Sequence, residues 1–169
     1  MIYNDKNFLV FIENLNLLLY LCIQENNMTM DEIKNESEIN PIDEARRYVA
    51  NAEETIKRAT YDPETKSYLD KKYVRTAGDI LWKGCLIALE AVLHVRKGKG
   101  RPSVDKYRLA ASQRDRKLLQ FMKVAYDTMH LSMGYDGTHN KKTCDSGFEY
   151  ANALIDRCAM LYQPEEVCV

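Results

Sequence analysis

The sequence predicts an all-α protein, an up-and-down four-helix bundle with an additional N-terminal helical segment. Three observations predict it. Four amphipathic stretches lie between Pro41 and Tyr162. Each repeats its apolar residues every three or four positions, the helical period. Strong helix stops separate them: Asp62-Pro63, Gly98-Lys99-Gly100-Arg101-Pro102, and the stretch from Gly134 to Asp145. No strand pattern of any length and no internal repeat competes with this reading.

The first helix has the clearest start. Asn40 caps a free backbone N–H, and Pro41 suits the first helical position, where no N–H partner is needed. Asp43 and Glu44 place negative charge at the positive end of the helix dipole. Ala45, Tyr48, Val49, Ala52, Ile56 and Ala59 form one apolar stripe, with Arg46, Arg47, Glu53, Glu54, Lys57 and Arg58 outside it. Pro63 disfavours helical geometry at Asp62 and closes the element.

The second helix, from about Tyr68 to Arg96, is apolar around most of its circumference. Val74, Ala77, Ile80, Leu81, Gly84, Ile87, Ala88, Ala91 and Val92 form a broad face, which Trp82, Cys85, Leu89 and Leu93 widen. Only Arg75, Asp79, Lys83, Glu90 and His94 draw a polar line along it. Such a helix belongs at the centre of the bundle, packed on several sides. Gly84 costs about 1 kcal/mol there relative to Ala, which points to a close helix–helix approach.

The third helix runs from about Ser103 to Met133 on a stripe of Val104, Tyr107, Ala111, Leu118, Met122, Ala125 and Met129. The polar run Gln113–Arg116 predicts a bend or break. The fourth carries Phe148, Ala151, Leu154, Ile155, Cys158 and Tyr162 and stops at Pro164. The domain reading is therefore an N-terminal segment and linker over 1–40, a bundle over 41–163 and a tail over 164–169.

Composition fits one globular domain. Of 169 residues 46% are hydrophobic, enough for a proper core, and the net charge of −1 creates no global field for nucleic acid or anionic lipid. Five cysteines (Cys22, Cys85, Cys144, Cys158, Cys168) show no CxxC pair, and Cys85 and Cys158 lie on apolar stripes. Reduced core thiols in a cytoplasmic protein are expected. The apolar run Phe8–Ile23 contains Glu13, Asn14 and Asn16, and is too short and polar for a membrane span. It also lacks the features of a secretory signal. Three readings of it stay open: an extra helix packing on the bundle or on a dimer partner, a translated stretch ahead of a start at Met28 or Met30, or a membrane-associated segment.

The helix order resembles the HEPN superfamily of small helical bundles. The resemblance rests on EARRYVANAEETIKRA in the first helix, YVRTAGDILWKGCLIALEAVL in the second, and the charged loop that follows, over about 120 residues. More closely, the chain resembles an uncharacterised family of gut Bacteroidetes without assigned function. Many HEPN members are metal-independent ribonucleases, in which Arg holds phosphate and a His four to six residues further on does acid–base work. This chain departs from that signature. The nearest arginines before His94, His130 and His139 are Arg75, Arg116 and again Arg116. Ribonuclease activity is therefore not carried over, and no catalytic residue is assigned.

The candidate site residues are Arg96, Lys97, Lys99 and Arg101, a glycine-spaced basic loop able to wrap phosphate, with Lys106 and Arg108 beyond it. The competing reading is cations complementing a helix C-terminus in a solvated loop. His130, His139 and Cys144 are the weak candidates for metal ligation, and no metal or other cofactor is expected. Glu90–His94 reads as a solvated pair, and Arg75, Asp79 and Lys83 as exposed ion pairs four residues apart. Tyr126, Tyr135 and Tyr150 lie near the third-to-fourth helix turn, where they could line a groove, with core and rim packing the preferred reading. The expected function is a non-catalytic interaction or dimerisation module, a homodimer or the partner of another protein. The alternative is an RNA- or nucleotide-binding protein using the basic loop.

Overall fold

A computed structural model describes residues 40–95 and 102–163. The N-terminal segment, the loop cations Arg96, Lys97, Lys99 and Arg101, and the tail after 163 lie outside the described residues.

The all-α expectation holds: helices α1 (Pro41–Ile56), α2 (Lys71–Leu93), α3 (Val104–Arg114), α4 (Arg116–Ala125) and α5 (Lys141–Leu161) account for most of the described chain. Helix α1 begins as its sequence dictates, with Asn40 Oδ1 accepting from Ile42 N at 2.9 Å. Its buried stripe is Ile42, Ala45, Val49, Ala52 and Ile56. It ends three residues before the end of the predicted stripe. Tighter turns then carry the chain on, with Arg58 N donating to Thr55 O and Ala59 N to Ile56 O. Pro63 therefore ends no helix; it follows the first strand of a small hairpin, β1 (Tyr61–Asp62) against β2 (Ser67–Tyr68). Two-residue strands have no alternation to betray them. Asp62 organises their turn, accepting from Glu64 N at 3.0 Å and Thr65 Oγ1 at 2.6 Å.

Helix α2 is the central element, as its apolar circumference requires. Asp70 caps it through Lys72 N at 2.9 Å, and it packs on α1, α3 and α5. Gly84 lies against α1: a Cβ there would stand 2.8 Å from Tyr48 Cβ and 3.0 Å from Ala45 O.

The predicted third helix is three pieces. The break falls at Asp115, whose backbone is extended (φ −161°, ψ 121°). Its carboxylate then caps α4, accepting from Leu118 N at 2.6 Å. After Ala125 the helix widens into a π segment, Tyr126–Tyr135. Asp136 N donating to Leu131 O at 2.9 Å shows its i→i+5 pattern. Gly78 of α2 fits against this segment: a Cβ there would meet Met133 Cβ at 2.6 Å and Met129 O at 2.7 Å. Helix α5 buries Cys144, Gly147, Ala151, Leu154, Ile155 and Cys158 and closes the bundle.

Candidate functional site

A cleft of about 320 Å³ opens where α2, the start of α3 and the π segment meet. Helix α2 supplies Asp79, Trp82, Lys83 and Leu86, spaced so that all four share one side of the helix. Pro102, Val104 and Tyr107 form the opposite wall, and His130 reaches in from the π segment.

The rings of Trp82, Tyr107 and His130 line the cleft, and Tyr126 packs against the first and last of them. The Trp82 and Tyr126 centroids are 5.4 Å apart with planes at 71°, an edge-to-face pair. His130 completes the cluster, 5.1 Å from Tyr126 and 6.0 Å from Trp82. The Arg108 guanidinium lies 5.1 Å from the Tyr126 centroid, within cation–π range. Tyr107 is buried, and its hydroxyl donates to Glu90 Oε1 at 2.6 Å. The Nδ1 of His130 is buried and finds no hydrogen-bond partner among the described residues.

Two opposite charges line the mouth, one helical turn apart. Asp79 and Lys83 form no ion pair with each other, and neither is bonded to another described side chain. Gly134 makes room for the acid: a Cβ there would stand 2.7 Å from Asp79 Oδ1. The expected row of ion pairs through Arg75, Asp79 and Lys83 is therefore absent among the described residues. Arg75 turns away to Asp136 O at 3.4 Å and packs over Gly137, whose φ of +65° suits glycine.

The remaining candidates go to different places. His139 bonds the carbonyl of Tyr68, His130 joins the rings, and Cys144 is buried in α5. Among the described residues, no group of three His, Cys, Asp or Glu is gathered as metal ligands. Glu90 and His94 are no solvated pair: Glu90 takes the Tyr107 hydroxyl, and His94 ends α2 in the left-handed conformation (φ 46°). Tyr150 packs against the core, whereas Tyr135 is 77% exposed. Burial pushes the Cys144 thiol up to about 11 and Cys158 to about 12, and raises Cys85 further. None of these three is a nucleophile at neutral pH. A larger hollow of about 420 Å³ near His94 is lined by Arg114, which already donates to Leu161 O. No helix of the described residues is long and apolar enough to cross a membrane.

Sequence reasoning placed Trp82 in the core and Asp79 and Lys83 on the polar line of α2. It did not see that they border one cleft. That depends on His130, which lines the same cleft from more than forty residues further along the chain.

Residues 40–160 match a family described as a domain of unknown function (DUF5618), and the chain belongs to that family. Its fold is similar to that of a solved protein of unknown function from Dyadobacter fermentans, at 30% sequence identity and a TM-score of 0.63. The match covers 71% of this chain and 93% of that one. No curated protein matches the chain.

Proposed function

We propose that this member of the DUF5618 family is a non-catalytic interaction module that binds phosphate-bearing ligands, RNA or a nucleotide, at the cleft between α2, α3 and the π segment. One observation carries the reading: Lys83 borders a cleft lined by aromatic rings and is left unpaired among the described residues. Arg96, Lys97, Lys99 and Arg101 directly precede Pro102 on the cleft's wall, and the proposal assigns them to phosphate contacts. Kinship with the HEPN bundles, supported by the helix order, belongs to the same proposal, as does a cytoplasmic location.

Filter binding of a single-stranded RNA at 50 and 200 mM salt tests it. Binding should weaken steeply with salt, because phosphate contacts release counterions. Replacing the four loop cations with Ala should weaken it further and flatten the slope. The RNA should stay intact. Cleavage that disappears in His130→Ala would make the protein an enzyme and overturn the non-catalytic reading.

A second reading, self-association, is favoured by Leu131 and Tyr135, which the π segment leaves 38% and 77% exposed. Sedimentation equilibrium of the full chain and of Tyr135→Ser decides it: a dimer that the substitution weakens supports it, and a monomer at every concentration excludes it.

A further inference from the structure

The cleft combines features that phosphate binding alone does not need. A site for bare phosphate has no use for a carboxylate at its mouth, because like charges repel. Yet Asp79 is kept there, its Oδ1 seated over Gly134, where any side chain would displace it. Lys83 follows one turn later without pairing with it. Both are exposed and both line the same cavity, beside the buried rings of Trp82 and Tyr107 and the partly buried ring of His130.

A ligand that satisfies all of these groups has three parts. It carries an anionic group for Lys83. It carries a flat ring that fits among aromatic and aliphatic walls. On one edge of that ring it carries adjacent N–H donors, because an ionised carboxylate only accepts hydrogen bonds. Of the common nucleobases, guanine presents two neighbouring N–H donors on its pairing edge, matching the two oxygens of a carboxylate. Uracil flanks its single N–H with two carbonyls, which a carboxylate repels. Adenine places a ring acceptor beside its amine. A cavity of about 320 Å³ is at the small end of ligand sites and suits one base rather than a stacked run.

We infer that the cleft is a guanine-nucleotide subsite, in which Asp79 accepts from the donor edge of the base and Lys83 holds the phosphate. The inference rests on the cleft being the binding site, as proposed above, and adds the identity of the base.

Equilibrium dialysis of the full chain with GMP, UMP, AMP and guanosine tests it. Trp82, the protein's single tryptophan, supplies a second readout through its fluorescence. GMP should bind at least about tenfold tighter than UMP or AMP, the size of one charge-assisted hydrogen bond. Asp79→Asn should erase that preference. Lys83→Met should weaken GMP and leave guanosine unchanged. Both side chains are exposed, so the variants should keep the wild-type melt, checked by circular dichroism. Equal binding of the three nucleotides, or a guanine preference that survives Asp79→Asn, overturns the inference. If RNA binding nevertheless falls in Lys83→Met, the cleft remains the phosphate site and only base recognition fails. If RNA binding is untouched by Lys83→Met, the cleft reading fails and takes the inference with it.

Discussion

Arg157 grips Asp115 at two points, Nε to Oδ1 at 3.1 Å and Nη2 to Oδ2 at 2.5 Å. The pair joins α5 to the residue at which α3 gives way to α4. Asp115 thus has two duties: it caps α4 through Leu118 N and anchors the break to a neighbouring helix. A two-pronged Arg–carboxylate contact fixes direction as well as distance, so the bend there is held by geometry.

Acid should weaken this anchor in a defined window. The Arg157 hydrogen bonds hold the Asp115 carboxyl at about 2, below its ordinary value of 3.8. A carboxyl depressed in the folded state contributes stability that is complete above its unfolded value. That contribution is lost as pH falls from about 4 towards 2. Melts of the wild type and of Arg157→Gln should therefore differ most above pH 4 and converge towards pH 2. A constant difference across the window would mean that Arg157 acts through packing alone.

Trp82→Ala should cost about 3 kcal/mol, the lower end for deleting a buried aromatic, because one side of the ring borders the open cleft. The ring is only 6% exposed, and its edge contact with Tyr126 goes with it. Urea unfolding reads the loss as a lower midpoint. An unchanged midpoint would show that the cleft, and not the core, supports the ring.

Two glycines should respond very differently to Ala. At Gly78 the new Cβ meets Met133 Cβ, Gly134 N and Met129 O, all within 2.7 Å and none able to swing away. A loss of at least about 2 kcal/mol is expected. At Gly147 it meets Met133 Sδ, near the tip of a flexible side chain. Helix propensity returns up to about 1 kcal/mol there, so Gly147→Ala should lie within about 1 kcal/mol of wild type. Similar losses at both sites would show that Met133 is as immobile as backbone.

A thiol reagent at pH 8 should modify no more than two of the five cysteines in the native protein. Cys85, Cys144 and Cys158 are buried and their thiols are pushed well above that pH. All five should react in denaturant. Rapid labelling of Cys144 in the native state would reveal opening at the start of α5.

Deleting residues 1–27 should leave a cooperative melt. The family match begins at residue 40, and α1 carries its own cap at Asn40. A broad, non-cooperative transition would make the N-terminal segment part of the fold.

Much of the fold was legible in the sequence because helices write their period into it. The Asn40-Pro41 start, the central place of α2, the tight approach at Gly84 and the break in the polar run at Gln113–Arg116 all follow from local chemistry. The π segment was not legible. Met129 and Met133 are four apart and read as ordinary helix, whereas the wider turn is set by backbone bonds that no side-chain pattern records. The Asp115–Arg157 anchor was hidden by its 42-residue separation. The cleft was half visible: Asp79 and Lys83 stood out as charges on an apolar helix. That they do not pair, and that Asp79 Oδ1 lies against Gly134, is known only once the chain has folded.

The hairpin between α1 and α2 is completed from far along the chain. Tyr68 N donates to His139 O, Lys141 N donates to Lys66 O, and Ser67 bridges to Asn140. His139 Nδ1 bonds the Tyr68 carbonyl across 71 residues. Closing so long a loop costs entropy before any bond returns it. These bonds should therefore form late in folding, after α1 and α2 have paired. They should also be among the first to exchange their amide protons with solvent, so that hydrogen exchange would see the start of α5 unlatch before the bundle comes apart.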